Sequence, residues 1–122
     1  MKSKDIIIET YTKLVLDNKT TKITVKEICE IAQISRTTFY KYFKDPYHIM
    51  ETILVDKSIS FLKKLMTLNL DSFIITKAWY IEFYKNKELC YYAIKDESQN
   101  SLFNTLINKL TELNCEIYKT LY

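Results

Sequence analysis

Segment 35–44, Ser-Arg-Thr-Thr-Phe-Tyr-Lys-Tyr-Phe-Lys, combines basic, hydroxyl and aromatic side chains at helical spacing. Phe39 and Phe43 lie four residues apart, so on a helix both point inward and the polar side chains occupy the other faces. Arg36 and Thr37 open this helix, where side chains are best placed to reach base edges in the major groove of DNA. A solvent-exposed arginine is the plainer alternative. The segment therefore has the chemistry to contact bases and phosphates.

Positive charge is concentrated around this segment. Between Lys19 and Lys44 there are six basic residues and two acidic ones, a local balance of +4, whereas nine lysines and nine acids cancel from Tyr47 onward. A local surplus of this kind is typical of a phosphate-binding surface. For the rest of the chain, scattered lysines indicate an ordinary solvated surface.

Two short helices joined by a tight turn are predicted to position these side chains. Thr24 stands at an N-cap position with Glu27 three residues later, as in a capping box, and Ser35 caps the next helix. The apolar residues between the caps recur at helical spacing and form one face: Val25, Ile28, Cys29 and Ala32. This is the pattern of a helix-turn-helix. Helices this short are unstable alone, so further helices must cover their apolar faces.

The run from Ile34 to Lys44 resembles the recognition helix of the TetR/AcrR family of bacterial transcriptional regulators. It has that family's order of small residue, Phe-Tyr, variable residue, aromatic, Phe and Lys. Two positions differ: Gln33 stands where the family usually has Gly in the turn, and Pro46 where it often has Lys. A left-handed Gln33 costs on the order of 1 kcal/mol relative to Gly. Asp45 and Pro46 together suit the start of a further helix.

The resemblance implies an all-α protein in two parts. Residues 1–46 would form a three-helix helix-turn-helix DNA-binding domain, and a long fourth helix would join it to a helical ligand-binding and dimerisation domain over residues 47–122. Five residues match positions at which the family holds the phosphate backbone: Thr24, Thr38, Tyr40, Tyr42 and Lys44. Tyr42, an aromatic between Phe39 and Phe43 in the sequence, alternatively serves in packing alone, and Lys41 is a further groove or phosphate contact. The complete set of predicted DNA contacts is Thr24, Ser35, Arg36, Thr37, Thr38, Tyr40, Lys41, Tyr42 and Lys44.

The resemblance also implies a mode of action. The protein would be a cytoplasmic homodimer that binds a palindromic operator in double-stranded DNA, most simply as a repressor that responds to a small molecule. Family members usually carry two more C-terminal helices, so we expect either a short member that dimerises through its last helix or a truncated chain. The alternative is a helical interaction module that pairs with full-length relatives and modulates them.

Aromatic residues are dense in the second half of the chain. By the resemblance, they are candidates to line a small-molecule pocket, although an ordinary aromatic core is equally compatible with the sequence. The candidates are Trp79, Tyr80, Phe83, Tyr84 and Tyr91.

Composition favours helices throughout. The 122 residues include no Gly and one Pro, which leaves little material for hairpin turns. Three widely spaced cysteines fit a reducing cytosol. The first segment lacks the uninterrupted apolar run expected of a signal peptide, and no stretch reaches transmembrane length. His48, the single histidine, has no metal-ligand partner at suitable spacing, and no catalytic triad or Gly-rich phosphate loop is found. We therefore expect no metal, no cofactor and no enzymatic activity.

The apolar pattern predicts the helix bounds. We expect helices over about 3–18, from Pro46 to about Leu68, from Asp71 or Ser72 to about Lys85, over 87–95, and from Ser98 or Ser101 to the terminus. The last helix carries a broad apolar stripe that we expect a symmetric partner to cover, formed by Leu102, Leu106, Leu110, Leu113, Ile117 and Leu121.

Overall fold

The computed structural model describes residues 2–96 and 100–121, together with the side chains of residues 2–96 and 102–113. Within these ranges the structure is all-α, as the composition predicted. The elements are α1 Ser3–Asn18, α2 Val25–Ala32, α3 Arg36–Tyr42, α4 Pro46–Glu51, a π-helical turn Thr52–Asp56, α5 Lys57–Met66, α6 Ser72–Tyr84, α7 Lys87–Lys95 and α8 Asn100–Leu121.

Helix α1 is the support on which the two short helices pack. Ile7 and Tyr11 of α1, Ile28 of α2 and Phe39 of α3 are all fully buried. Since α2 and α3 have only eight and seven residues, their stability must come from this packing. α1 also contacts α4 and α7, so it touches both halves of the chain.

The predicted long helix contains a π-helical turn. α4 begins at Pro46 behind the Asp45 cap, as expected, but the backbone widens over Thr52–Asp56 before it continues as α5. All four residues 52–55 are buried. In a regular α-helix at the surface of a globular protein, four consecutive residues cover most of the circumference, so at least one of them is usually exposed. The π turn is packed against α8. The helix ends at Met66, and Leu68, predicted to lie in it, is exposed in the following turn.

Helices α6 and α8 differ in how much of their apolar surface the chain covers. α6 packs on α5, where the Trp79 indole Nε1–H donates to the Ser58 carbonyl oxygen at 3.0 Å, but no residue of α6 is fully buried. In α8, Leu102, Leu106 and Leu113 are buried within the chain itself. The prediction that a partner must cover these three residues was therefore wrong. The predicted stripe residues Ile117 and Leu121 lie outside the described side chains.

The core is continuous across residue 46, the predicted domain boundary. One hydrophobic cluster extends from Ile7 of α1 through the π turn to Leu106 of α8. The division into domains at that residue stays a prediction. Among the described helices, none combines the length and hydropathy that crossing a bilayer requires.

Candidate nucleic-acid interface

The turn between α2 and α3 is built from local hydrogen bonds. The Thr24 hydroxyl oxygen accepts from the Glu27 N–H at 3.1 Å, which starts α2 at the predicted N-cap. α2 ends at Gln33, which adopts the left-handed conformation with φ 57° and ψ 47°, and its N–H donates to the Cys29 carbonyl. The Ile34 N–H donates to the same carbonyl at 3.1 Å. Gln33 thus occupies the position where glycine is usual, as the sequence suggested.

Ser35 fixes the start of α3. Its hydroxyl oxygen accepts from the Thr38 N–H at 3.1 Å and lies 3.0 Å from the Thr38 hydroxyl. The Cys29 thiol contacts the Ser35 carbonyl at 3.9 Å, so α2 and the cap of α3 are joined. Burial raises the pKa of the Cys29 thiol, and the Arg36 guanidinium opposes that rise. The side chains of Ser35 and Thr38 therefore form the N-terminal cap of α3, and Arg36 is the first residue of the helix.

Five of the nine predicted contacts share one open groove on α3. They are Arg36, Thr37, Thr38, Tyr40 and Lys41. All are exposed except Thr38, which is half-buried, and the Tyr40 ring packs edge-on against Phe39 with centroids 5.3 Å apart. Phe39 is fully buried and Phe43 is 2% exposed, which confirms that the two phenylalanines point inward. Because the apolar face of α3 is buried in the core, its polar face points outward.

The remaining predicted contacts lie outside this groove. Tyr42 is half-buried and packs against the hydrophobic core, with the Lys41 ammonium 5.9 Å from its ring centroid. Tyr42 therefore packs against the core, as the alternative interpretation of this residue predicted. Thr24 is exposed at the start of α2, and Lys44 is exposed just beyond α3.

His48 has a structural role that the sequence reasoning missed. Its Nδ1 accepts from the Lys44 N–H at 3.1 Å, and its ring packs edge-on against Phe43 with centroids 5.3 Å apart. The backbone N–H of His48 donates to the Asp45 carboxylate at 2.8 Å. The neutral ring accordingly carries its proton on Nε2. The i, i+3 spacing of Asp45 and His48 could have indicated the cap but not the contact with Lys44. The described residues contain no cluster of three or more metal-binding side chains.

The described residues do not enclose the predicted aromatic pocket. Tyr80, Tyr84 and Tyr91 are 64%, 52% and 60% exposed. Only Trp79 and Phe83 are half-buried, with ring centroids 5.5 Å apart. The helix is apolar on both sides, and the sequence alone could not tell which side faces α5. Trp79 and Phe83 therefore pack inward, whereas Tyr80, Tyr84 and Tyr91 lie on the outside.

Comparison with known families identifies the segment that carries the groove. Residues 20–46 match the family model of the helix-turn-helix domain of resolvase. Residues 20–46 form a helix-turn-helix DNA-binding domain. This domain contains α2, the left-handed turn at Gln33 and α3, and it ends where α4 begins. The match does not extend to the TetR/AcrR family, so that narrower resemblance stays a prediction. No curated protein and no solved structure gave a significant match to the chain.

Proposed function

We propose that this chain is a bacterial transcriptional regulator that binds a palindromic operator as a homodimer and acts as a ligand-responsive repressor in the cytoplasm. The observation that carries the proposal is the groove on α3, where Arg36, Tyr40 and Lys41 lie on the exposed side of a helix anchored by Phe39 and Phe43. This face has the charge and hydrogen-bonding groups that a recognition helix needs, which supports a binding role over an enzymatic one.

In the proposed complex, α3 enters the major groove with its amino-terminal end toward the bases. Arg36 would bond to guanine, and Thr37 would read a neighbouring base edge. Lys41 and Lys44 would neutralise phosphates on either side, and Thr24 at the start of α2 would hold the adjacent backbone. The phosphate contacts give affinity and register, whereas the two residues at the start of α3 give sequence preference.

We propose a palindrome because each subunit of a symmetric dimer would carry an identical helix-turn-helix domain, residues 20–46, called the head below. A symmetric dimer places its two recognition helices about 34–36 Å apart, which is one turn of B-DNA. Repression then follows from occupancy of the operator, and a small molecule that changes the separation of the heads would release it. The proposed route from the helical part to the head is the contact of α1 with α7. The end of α7 adjoins the loop before α2, where Asp96 accepts from the Thr21 N–H.

Selection from a random pool of double-stranded DNA tests this function. We expect enrichment of an inverted repeat whose half-sites are centred about 10 base pairs apart. The interaction-module alternative predicts no enriched sequence for the chain alone, because that activity needs no competent DNA-binding head. Failure to enrich any motif at low salt would contradict the proposal.

A further inference from the structure

Helix α6 presents apolar side chains to the outside along one face, which also carries the exposed Lys77. These apolar residues, called the α6 stripe below, are Phe73, Ile74, Tyr80, Ile81 and Tyr84, and each is between 49% and 72% exposed. They repeat at spacings of three, four and seven residues, which places them on one face of a helix. Trp79 lies on the opposite face and bonds to Ser58 of α5, and the half-buried Phe83 packs beside it. The stripe is therefore a second apolar side that the described residues do not cover.

The exposed area is large for a free surface. From the exposed fractions and the usual size of such side chains, the stripe presents on the order of 600 Å². That is the upper end of the largest apolar patch on a typical monomer, about 300–600 Å², and approaches the roughly 800 Å² that each partner contributes to a standard interface. A single additional helix face of the same kind would complete such an interface.

The spacing within α6 fits pairing with an identical helix. Ile74, Lys77, Ile81 and Tyr84 follow one another at intervals of three, four and three residues, the seam of a helix pair. Lys77 lies between the residues of the α6 stripe and is the one charged residue of this seam. Its aliphatic stem adds apolar area, and its ammonium can reach the rings of Tyr80 or Tyr84 on a facing helix. A symmetric dimer uses the same patch on both subunits, so one apolar stripe is sufficient for both.

We propose that a second copy of this chain covers the α6 stripe, so that α6 is the dimer seam. The proposal rests on the dimeric function proposed above and replaces the last helix with α6 as the pairing element. It is favoured over α8 because Leu102, Leu106 and Leu113 are already buried within the chain. Ile107 is the one large hydrophobic side chain of α8 that is more than half exposed over residues 102–113.

A matched pair of variants separates the two helices. Ile81→Lys places a second cation in the seam beside Lys77, and Ile107→Lys makes the same change on α8 at a residue of similar exposure, 58% against 50%. By light scattering, we expect the wild type and Ile107→Lys to have the mass of a dimer. Ile81→Lys should raise the dimer dissociation constant at least about tenfold, because the added charge must be desolvated in the seam.

Further readouts guard against misfolding and separate this proposal from the proposed function. Circular dichroism should show unchanged helix content for both variants, and Ile74→Lys, at the other end of the stripe, should repeat the loss of dimer. Wild-type monomers, or dimers that survive both stripe variants, would overturn the α6 seam. If such molecules still bound DNA with strong salt dependence, the DNA-binding function would stand. A wild-type dimer that both stripe variants dissociate, but that bound no DNA, would support the seam and contradict the function.

Discussion

The Asp96 carboxylate accepts a hydrogen bond from the Thr21 backbone N–H at 2.8 Å, and so joins the end of α7 to the loop that precedes α2. The Thr21 hydroxyl donates to the same oxygen, and the Thr20 hydroxyl does so at 3.3 Å. Thr21 is only 4% exposed. The Asp96 carboxylate thus links the loop before α2 to the end of α7, although Thr21 and Asp96 are 75 residues apart in the sequence.

Replacing this carboxylate should loosen the junction. Asp96→Ala removes the acceptor of three hydrogen bonds and leaves the Thr21 N–H without this partner, so the free energy of unfolding should fall by about 1–2 kcal/mol. Urea denaturation of Asp17→Ala, an exposed aspartate of α1, provides the matched control and should differ from the wild type by less than about 0.5 kcal/mol. Equal stability of Asp96→Ala and the wild type would show that the junction is not held by this side chain.

The Asp96 contribution should vanish in acid. The hydrogen bond from the Thr21 hydroxyl is the main cause that holds the pKa of Asp96 below its ordinary 3.8 in the folded chain. A depressed folded pKa stabilises the protein above the unfolded pKa, and this stabilisation is lost as pH falls from about 4 through the folded value. The stability difference between wild type and Asp96→Ala should therefore be constant near neutral pH and shrink below pH 4. A difference that grew on acidification would contradict this.

Tyr11 should make the fold sensitive to alkali. Burial, with the Asp96 charge as a smaller cause, raises the pKa of Tyr11 above its ordinary 10.0, and the buried hydroxyl has no hydrogen-bond partner among the described residues. A raised folded pKa gives stability that is complete below pH 10 and is lost as pH rises above it. Tyr11→Phe should remove this loss and, at neutral pH, stabilise the chain by about 1 kcal/mol by deleting an unpaired hydroxyl. Thermal unfolding from pH 8 to 11, with Tyr92→Phe as control, measures both effects.

Gln33 should be a site at which glycine stabilises the protein. Its left-handed backbone disfavours a residue with a Cβ, so Gln33→Gly should raise the free energy of unfolding by about 0.5–1 kcal/mol. Glu30→Gly, within α2, should lower it by about 1 kcal/mol because that residue is helical. If Gln33→Gly also destabilised the chain, contacts of the glutamine side chain would outweigh the backbone strain.

The features that could be predicted from the sequence are local ones. Thr24, Ser35, Asp45 and Asp71 each cap a helix through a side-chain contact with a backbone N–H two or three residues away, so the residue type and its position are sufficient to predict them. Phe39 and Phe43 follow from helical periodicity in the same way. The groove on α3 was predictable because its inward residues are aromatic and its outward ones are polar.

The features that were missed depend on tertiary packing. The Asp96–Thr21 contact joins residues too far apart for any local pattern, and the π turn at Thr52–Asp56 reflects burial on more than one side. α6 is apolar around most of its circumference, so periodicity could not show that Tyr80 and Tyr84 face outward while Trp79 faces α5. The aromatic content predicted a pocket or a core, and the structure places three of the five candidates on the surface.

The most direct test of the central claim, that α3 reads DNA, is titration of the selected operator and of random DNA at two salt concentrations. Arg36→Ala should reduce the preference for the operator about 5- to 100-fold, whereas Lys44→Ala should weaken binding to both DNAs equally and reduce the salt slope by about 0.9. Lys64→Ala, on α5, should behave as the wild type. If Arg36→Ala and Lys44→Ala both left affinity, preference and salt slope unchanged, α3 would not be the recognition helix.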